Sequence, residues 1–330
     1  MTHKQKRTIF ALSPQDGPNR TSASCQLTSR IKCYRKSCIY IMLNIKKFIV
    51  YALAIASSLL FLQCDKIDEP FKESHEQNVA ADTPYFEVRT DFIQKYLLED
   101  FTGHTCLNCP KAHTIMKEMQ DAMKDTLICM AVHCGNFAEP GDAPYTADYR
   151  TALGNYLASH FSVSGLPKGM ISRRQFNGKR VLNYSEWKAD MASVTRLQAE
   201  IGIQIKDTTV PSHPDTAYIF VKTTWLKGTE RPMRLSVVLL EDSIVSAQKQ
   251  PDLSVIGDYV HNHMLRASLS PIEGTVLNTE GKREKGESDI RAYALYRNPV
   301  WQWKHCHIVA MVIDTETEEI LQVEKIHLEQ

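Results

Sequence analysis

The sequence predicts two folded modules in series, an α/β domain followed by an all-β sandwich, and three observations carry that expectation. Tyr96 to Phe101 is an apolar run ending in a short turn, after which Cys106 and Cys109 open a helical pattern reaching about Lys124. A second apolar run from Thr126 to His133 and a later helical stretch from Ala147 to Phe161 continue the alternation of strand and helix. From Ala199 helical patterning fades, and about seven short strand-like runs separated by turn residues follow.

Length and charge bound the function. A chain of 330 residues allows roughly two domains, and 43% hydrophobic content suffices for packed cores. Of 39 basic and 38 acidic residues, ten basic and one acidic lie in 1–63, so 64–330 holds 29 against 37, a net charge of −8. Phosphate binding needs a basic surface, so nucleic acid is not an expected partner.

Residues 1–41 are polar and basic and read as an upstream extension, with translation expected to start at Met42. Residues 42–63 have the parts of an export signal: Lys46-Lys47, then an uncharged run from Phe48 to Leu62 that is shorter than the roughly 20 residues a membrane span needs. Phe61-Leu62-Gln63-Cys64 resembles a bacterial lipobox, which implies cleavage before Cys64 and a lipid on that cysteine; the alternative is an uncleaved anchor helix. Either way the membrane is a partner. Residues 64–84 are polar and aperiodic and read as a flexible tether.

The α/β domain is expected over 85–198. Free N–H groups at a helix N-terminus stabilise a thiolate, so a strand, a turn and a cysteine pair three apart suit thiol-disulfide chemistry, although zinc ligands share the spacing. Met170 begins a further strand, Phe176 to Lys179 reads as a turn, and Asn183 with Glu186 reads as a capping box for a helix ending near Gln198. Val163-Ser164-Gly165-Leu166-Pro167 and Asp100-Phe101 resemble the corresponding segments of the thioredoxin superfamily, with Thr105 replacing its tryptophan and Leu107-Asn108 replacing Gly-Pro. That resemblance implies a cis-proline at Pro167 against the cysteine pair. With it, Cys106 is the candidate nucleophile, Cys109 the resolving thiol, Asp100 the proton acceptor, Pro167 the shaper of the substrate groove and His104 a tuner of the Cys106 thiol. Cys134 is a further candidate thiol. The competing reading is a structural disulfide on a redox-inert scaffold.

Residues 199–330 read as an antiparallel sandwich of immunoglobulin-like type, with runs at Ala217–Trp225, Leu235–Glu241, Tyr259–Ala267, Ile290–Tyr296, His307–Thr315 and Ile320–Ile326 after the alternating Ile201, Ile203 and Ile205. In these strands His261 and His263, like His305 and His307, are expected to share a face.

The export signal, Phe101-Thr102-Gly103 with the cysteine pair and Pro110, and His261-Asn262-His263-Met264-Leu265-Arg266 together resemble the 28-kilodalton outer-membrane protein family of Gram-negative bacteria. The resemblance implies a protein of the outer membrane, lipid-anchored through Cys64, on its periplasmic or its surface face. No cofactor and no metal are expected, because the strand-turn-helix context and Pro167 favour redox geometry over a zinc site. Two functions stay open: a tethered thiol-disulfide oxidoreductase acting on envelope or surface proteins, or a binding and adhesion lipoprotein whose sandwich recognises a partner.

Overall fold

The computed structural model describes residues 80–194, 198–277 and 282–328. Met42, the export signal and Cys64 lie outside the described residues. The described part is β-rich, with fourteen strands and three α-helices, and falls in one structural unit.

The first half is organised around β1 (Tyr96–Thr102), every residue of which is buried. Parallel to it runs β2 (Leu127–His133), and antiparallel on its other side runs β3 (Lys168–Ile171), followed by the short β4 (Leu182–Asn183). Helix α1 (Cys109–Met123) connects β1 to β2. It starts at Cys109, so Cys106 stands in the turn before it, where its N–H donates to the Gly103 carbonyl at 3.1 Å. Helix α2 (Ala152–His160) begins five residues later than its pattern suggests, because the Thr151 side chain accepts from Gly154 N–H and caps it there. Helix α3 (Trp187–Ser193) stops at Ser193 rather than near Gln198. The Asn183–Glu186 box is half formed, with Glu186 accepting from the Asn183 N–H at 2.8 Å and no side-chain cap on the helix.

The second half contributes β5 (Ile201–Val210), β6 (His213–Trp225), β7 (Met233–Glu241), β8 (Ile244–Lys249), β9 (Val255–His261), β10 (Met264–Ser268), β11 (Thr275–Val276), β12 (Ser288–Tyr296), β13 (Cys306–Asp314) and β14 (Ile320–His327). The strands of the two halves join one sheet, in the order β14-β13-β7-β10-β2-β1-β3-β4 with β11 also on β7, while β12-β6-β5 form a second sheet and β8-β9 a free hairpin.

Alternation along the strands sorts the core into layers. One face of the long sheet puts Leu97, Phe101 and Met130 together with Val238, Leu240, Val309 and Met311 under α2 residues Leu153 and Leu157, so both halves share this core. On the other face, α1 and α3 cover Tyr96, Leu98 and Cys129 with Ala112, Met116 and Trp187. Further along, the β12-β6-β5 sheet covers Leu235, Val237, Leu239 and Ile308 with Ile203, Ile219, Val221 and Tyr293. Here two sheets share one apolar layer.

Gly169 in β3 lies directly under Trp187. A Cβ there would come within 2.5 Å of the indole and 2.7 Å of the Glu99 carbonyl. Gly169→Ala is expected to cost about 1–3 kcal/mol of overpacking, read as a lower urea midpoint; an unchanged midpoint would refute this account of the α3 contact.

Candidate functional site

The cysteine pair is a disulfide, Cys106–Cys109, with the Cα atoms 5.5 Å apart. The sulfurs a zinc site would use are thus joined to each other. Cys106 is 2% exposed and Cys109 is fully buried. Two segments lie over the turn that carries them. The loop after β2 contributes the Phe137 carbonyl, which accepts from both Thr105 N–H and Thr105 Oγ1 at 3.1 Å. A Cβ on Gly103 would sit 2.4 Å from that same oxygen, so only glycine allows this approach. The β8–β9 hairpin lies over the other side: Lys249 N–H donates to the His104 carbonyl at 2.9 Å, and the buried Gln248 Nε2 donates to the Cys106 carbonyl at 3.1 Å.

Pro167 follows a cis peptide bond. The β1–β3 register pairs Phe101 with Lys168, so Pro167 comes level with Thr102, where the cysteine turn begins. Asp100, on β1, is fully buried, and neither carboxylate oxygen has a hydrogen-bond partner. Burial pushes its pKa well above the usual carboxylate range, which favours the neutral acid. His113, one turn into α1 from Cys109, places its Nε2 3.5 Å from Asp100 Oδ2 and 2.9 Å from Thr102 Oγ1, with its Nδ1 2.7 Å from the Tyr259 hydroxyl.

Around this centre is a layer of imidazoles and phenols. His104 packs on Tyr145 and Tyr149, His133 on Tyr149 and His261, and Tyr259 on His261. His104 is 1% exposed, its Nε2 lies 3.1 Å from the Glu139 carbonyl, and burial lowers its pKa. Burial therefore works against a positive charge on this ring, while the Glu139 carbonyl and Asp148 favour one. Burial likewise holds His133 neutral, lowers His113 to about 3 and lowers His261 to about 4. Cys134 lies at the end of β2, its N–H donating to the Thr102 carbonyl at 3.2 Å. Its thiol is free and buried, like those of Cys129 and Cys306, and burial raises all three to about 12, so they are poor nucleophiles.

The expected strand Tyr259–Ala267 is in fact two. His263 has φ 58 and turns the chain between β9 and β10. Its N–H donates to Asp242 Oδ1, its Nδ1 lies 3.1 Å from the same carboxylate, and His307 Nε2 lies 3.1 Å from the other oxygen. Asn262 accepts from Ser243 N–H at 3.0 Å, and Arg266 pairs with the buried Glu241 at 3.1 Å. The His-Asn-His-Met-Leu-Arg segment is therefore a clamp. His261 and His263 face different partners, and His305 lies in a short helical turn before β13 rather than beside His307 on a strand face. Gln248, Tyr149, Tyr259 and Asp242 carry no local motif that marks them.

These protonation states set an acid limit. His113 and His261 titrate near 6.5 when unfolded but below that when folded, so the unfolded chain binds protons first, and stability falls as pH drops below about 6.5 until about 3–4. Burial opposes ionisation of Asp242, but hydrogen bonds from His263 and His307 outweigh it and depress its pKa, which adds a further loss below about pH 4. Asp100 acts in the opposite sense above pH 4, as one group against several histidines. Unfolding free energy is expected to fall from pH 7 to pH 4, with His261 alone contributing about 3 kcal/mol and His261→Phe flattening the profile. A pH-independent midpoint across this range would contradict it.

The model of the outer membrane protein Omp28 family matches residues 155–330, more than half of the chain. No curated protein matches it. Among solved structures, HBP35 of Porphyromonas gingivalis is similar over 73% of this chain and 77% of its own, with 17% identity and a TM-score of 0.54, which shows a shared fold. A protein of Agrobacterium tumefaciens covers 73% of this chain and 99% of its own at 11% identity and TM-score 0.42. A domain of the outer membrane lipoprotein Omp28 from Porphyromonas gingivalis covers 40% and 89% at 21% identity and TM-score 0.28. The family match runs from α2 through the clamp to the last strand, and the chain belongs to the Omp28 family of outer-membrane proteins.

Proposed function

We propose that this protein is anchored in the outer membrane by a lipid on Cys64 and works as a thiol-disulfide oxidoreductase on envelope or surface proteins. Residues 85–198 form its thioredoxin-like half and 199–330 its immunoglobulin-like half. Cys106 exchanges with the partner's sulfur, Cys109 resolves the mixed disulfide, Asp100 exchanges the Cys109 proton, and Pro167 edges the groove for the partner's backbone.

The observation that carries this reading is Asp100. A buried carboxyl without a hydrogen bond costs stability, and a purely structural disulfide gains nothing from it, whereas a resolving cysteine on the turn that follows β1 needs a group that takes and returns its proton. The second reading, a redox-inert binding lipoprotein with a structural disulfide, is favoured by the 2% exposure of Cys106 beneath Gln248.

The full-length protein in detergent, equilibrated in dithiol buffers, separates the two. A disulfide potential above about −270 mV, with insulin reduction lost in Cys106→Ser, supports the oxidoreductase; a potential below about −300 mV supports the structural disulfide. The hairpin gives an independent check. Removing the Gln248 amide forfeits about 1 kcal/mol, so Gln248→Ala is expected to open the site and speed disulfide reduction by a small phosphine about fivefold. An unaltered rate would mean the hairpin does not limit access.

A further inference from the structure

We infer that His113 and Tyr259 are a proton relay joining Asp100 to the cavity beside α1 that opens at the surface. The inference rests on the redox reading of the disulfide and assigns two residues to it, one from each half of the fold.

The problem it answers is set by burial. Asp100 has no exposed surface, and an isolated carboxylate there would be costly, so whenever it gives up a proton another must reach it. His113 stands beside it, Nε2 to Oδ2 at 3.5 Å, with Thr102 Oγ1 fixing the ring at 2.9 Å from the same nitrogen. The far nitrogen meets the Tyr259 hydroxyl at 2.7 Å. Both side chains line a cavity of about 490 Å³, with the exposed Thr114 and Lys117 at its rim. His113 is faced by Asp100 and Thr102 from β1, by Tyr259 and His261 from β9, by His263 from the turn and by His133 from β2. Burial and the neighbouring imidazoles keep its ring neutral, with one N–H and one free lone pair, which is the form that passes a proton on rather than storing charge.

The chemistry balances with a protein dithiol as reductant. Its thiolate attacks Cys106 Sγ; the new sulfur–sulfur bond forms, the Cys106–Cys109 bond breaks, and the electron pair goes to Cys109 Sγ. Asp100 protonates that thiolate. His113 Nε2–H reprotonates Asp100 as Nδ1 takes the Tyr259 proton, and Tyr259 takes one from cavity water. The partner's second thiolate then attacks the mixed disulfide, leaves as the oxidised partner and frees Cys106 as a thiolate. Two electrons pass, and the Cys109 proton comes from solvent.

The test is single-turnover reduction of the full-length protein in detergent by dithiothreitol, from pH 5 to 9, in H2O and D2O, for Tyr259→Phe, His113→Gln and Asp100→Asn. The relay predicts that Tyr259→Phe and His113→Gln slow reduction about tenfold or more, lose the solvent isotope effect and change the pH profile. A merely structural Tyr259 predicts the opposite sign, because losing its bond loosens the hairpin and eases access to Cys106. Rates at or above that of the unaltered protein for both variants, with Asp100→Asn slow, overturn the relay and leave the redox reading standing. An Asp100→Asn variant reduced at the unaltered rate overturns the redox reading, and the relay with it.

Discussion

Much of this structure depends on one narrow junction. Met264 of β10 pairs with Ala131 of β2, and the Ala131 N–H donates to the His263 carbonyl at 2.8 Å. Through that single step the strands of the second half and the cysteine-bearing strands become one sheet, and the core under α2 spans both. The step requires the chain to turn sharply at His263, which has a left-handed backbone that a side chain adopts only at a cost of about 1 kcal/mol or more. Asp242 offsets that cost by accepting from both the backbone and the ring of His263 while also holding His307. A glycine would turn as easily but would give up the imidazole half of the clamp.

The β8–β9 hairpin follows directly from β7 and lies across the cysteine turn. Beside the buried Ala247 it turns Gln248, Tyr259 and His261 inward. They meet His104, His113 and His133, which explains a buried layer that is neither hydrocarbon nor fully hydrogen-bonded. Neither ring nitrogen of His133 and neither carboxylate oxygen of Asp100 has a hydrogen-bond partner, and each such buried group gives up folding stability. Buried polar groups left without hydrogen bonds beside a disulfide are expected where chemistry, rather than packing, has set the residue types.

The same hairpin sets the tension between the two functional readings. It supplies Tyr259 to the neighbourhood of Asp100, and it closes Cys106 off by bonding its carbonyl through Gln248. Chemistry at the disulfide therefore requires the hairpin to yield, and its hold on the turn consists of a few hydrogen bonds of about 1 kcal/mol each rather than a hydrophobic seal.

The elements with strong periodicity were legible in the sequence. The apolar runs of β1 and β2, the helix after the cysteines, the alternation of Ile201, Ile203 and Ile205 and the strands β7, β13 and β14 follow from local composition, since burial on one or both faces writes itself into the order of residues. The cysteine spacing and the proline at 167 marked the candidate site. Missed were β8, the break at His263, and the roles of Gln248, Tyr259 and Asp242, because each depends on a partner far away in the chain and none alters the local pattern. What the sequence by itself determined is which segments form strands and helices and which side chains are chemically able. What only the tertiary structure decided is that both halves share one sheet, that a hairpin from one lies over the cysteines of the other, and that the histidines between them are uncharged, because desolvation and long-range pairing exist only after the chain has folded.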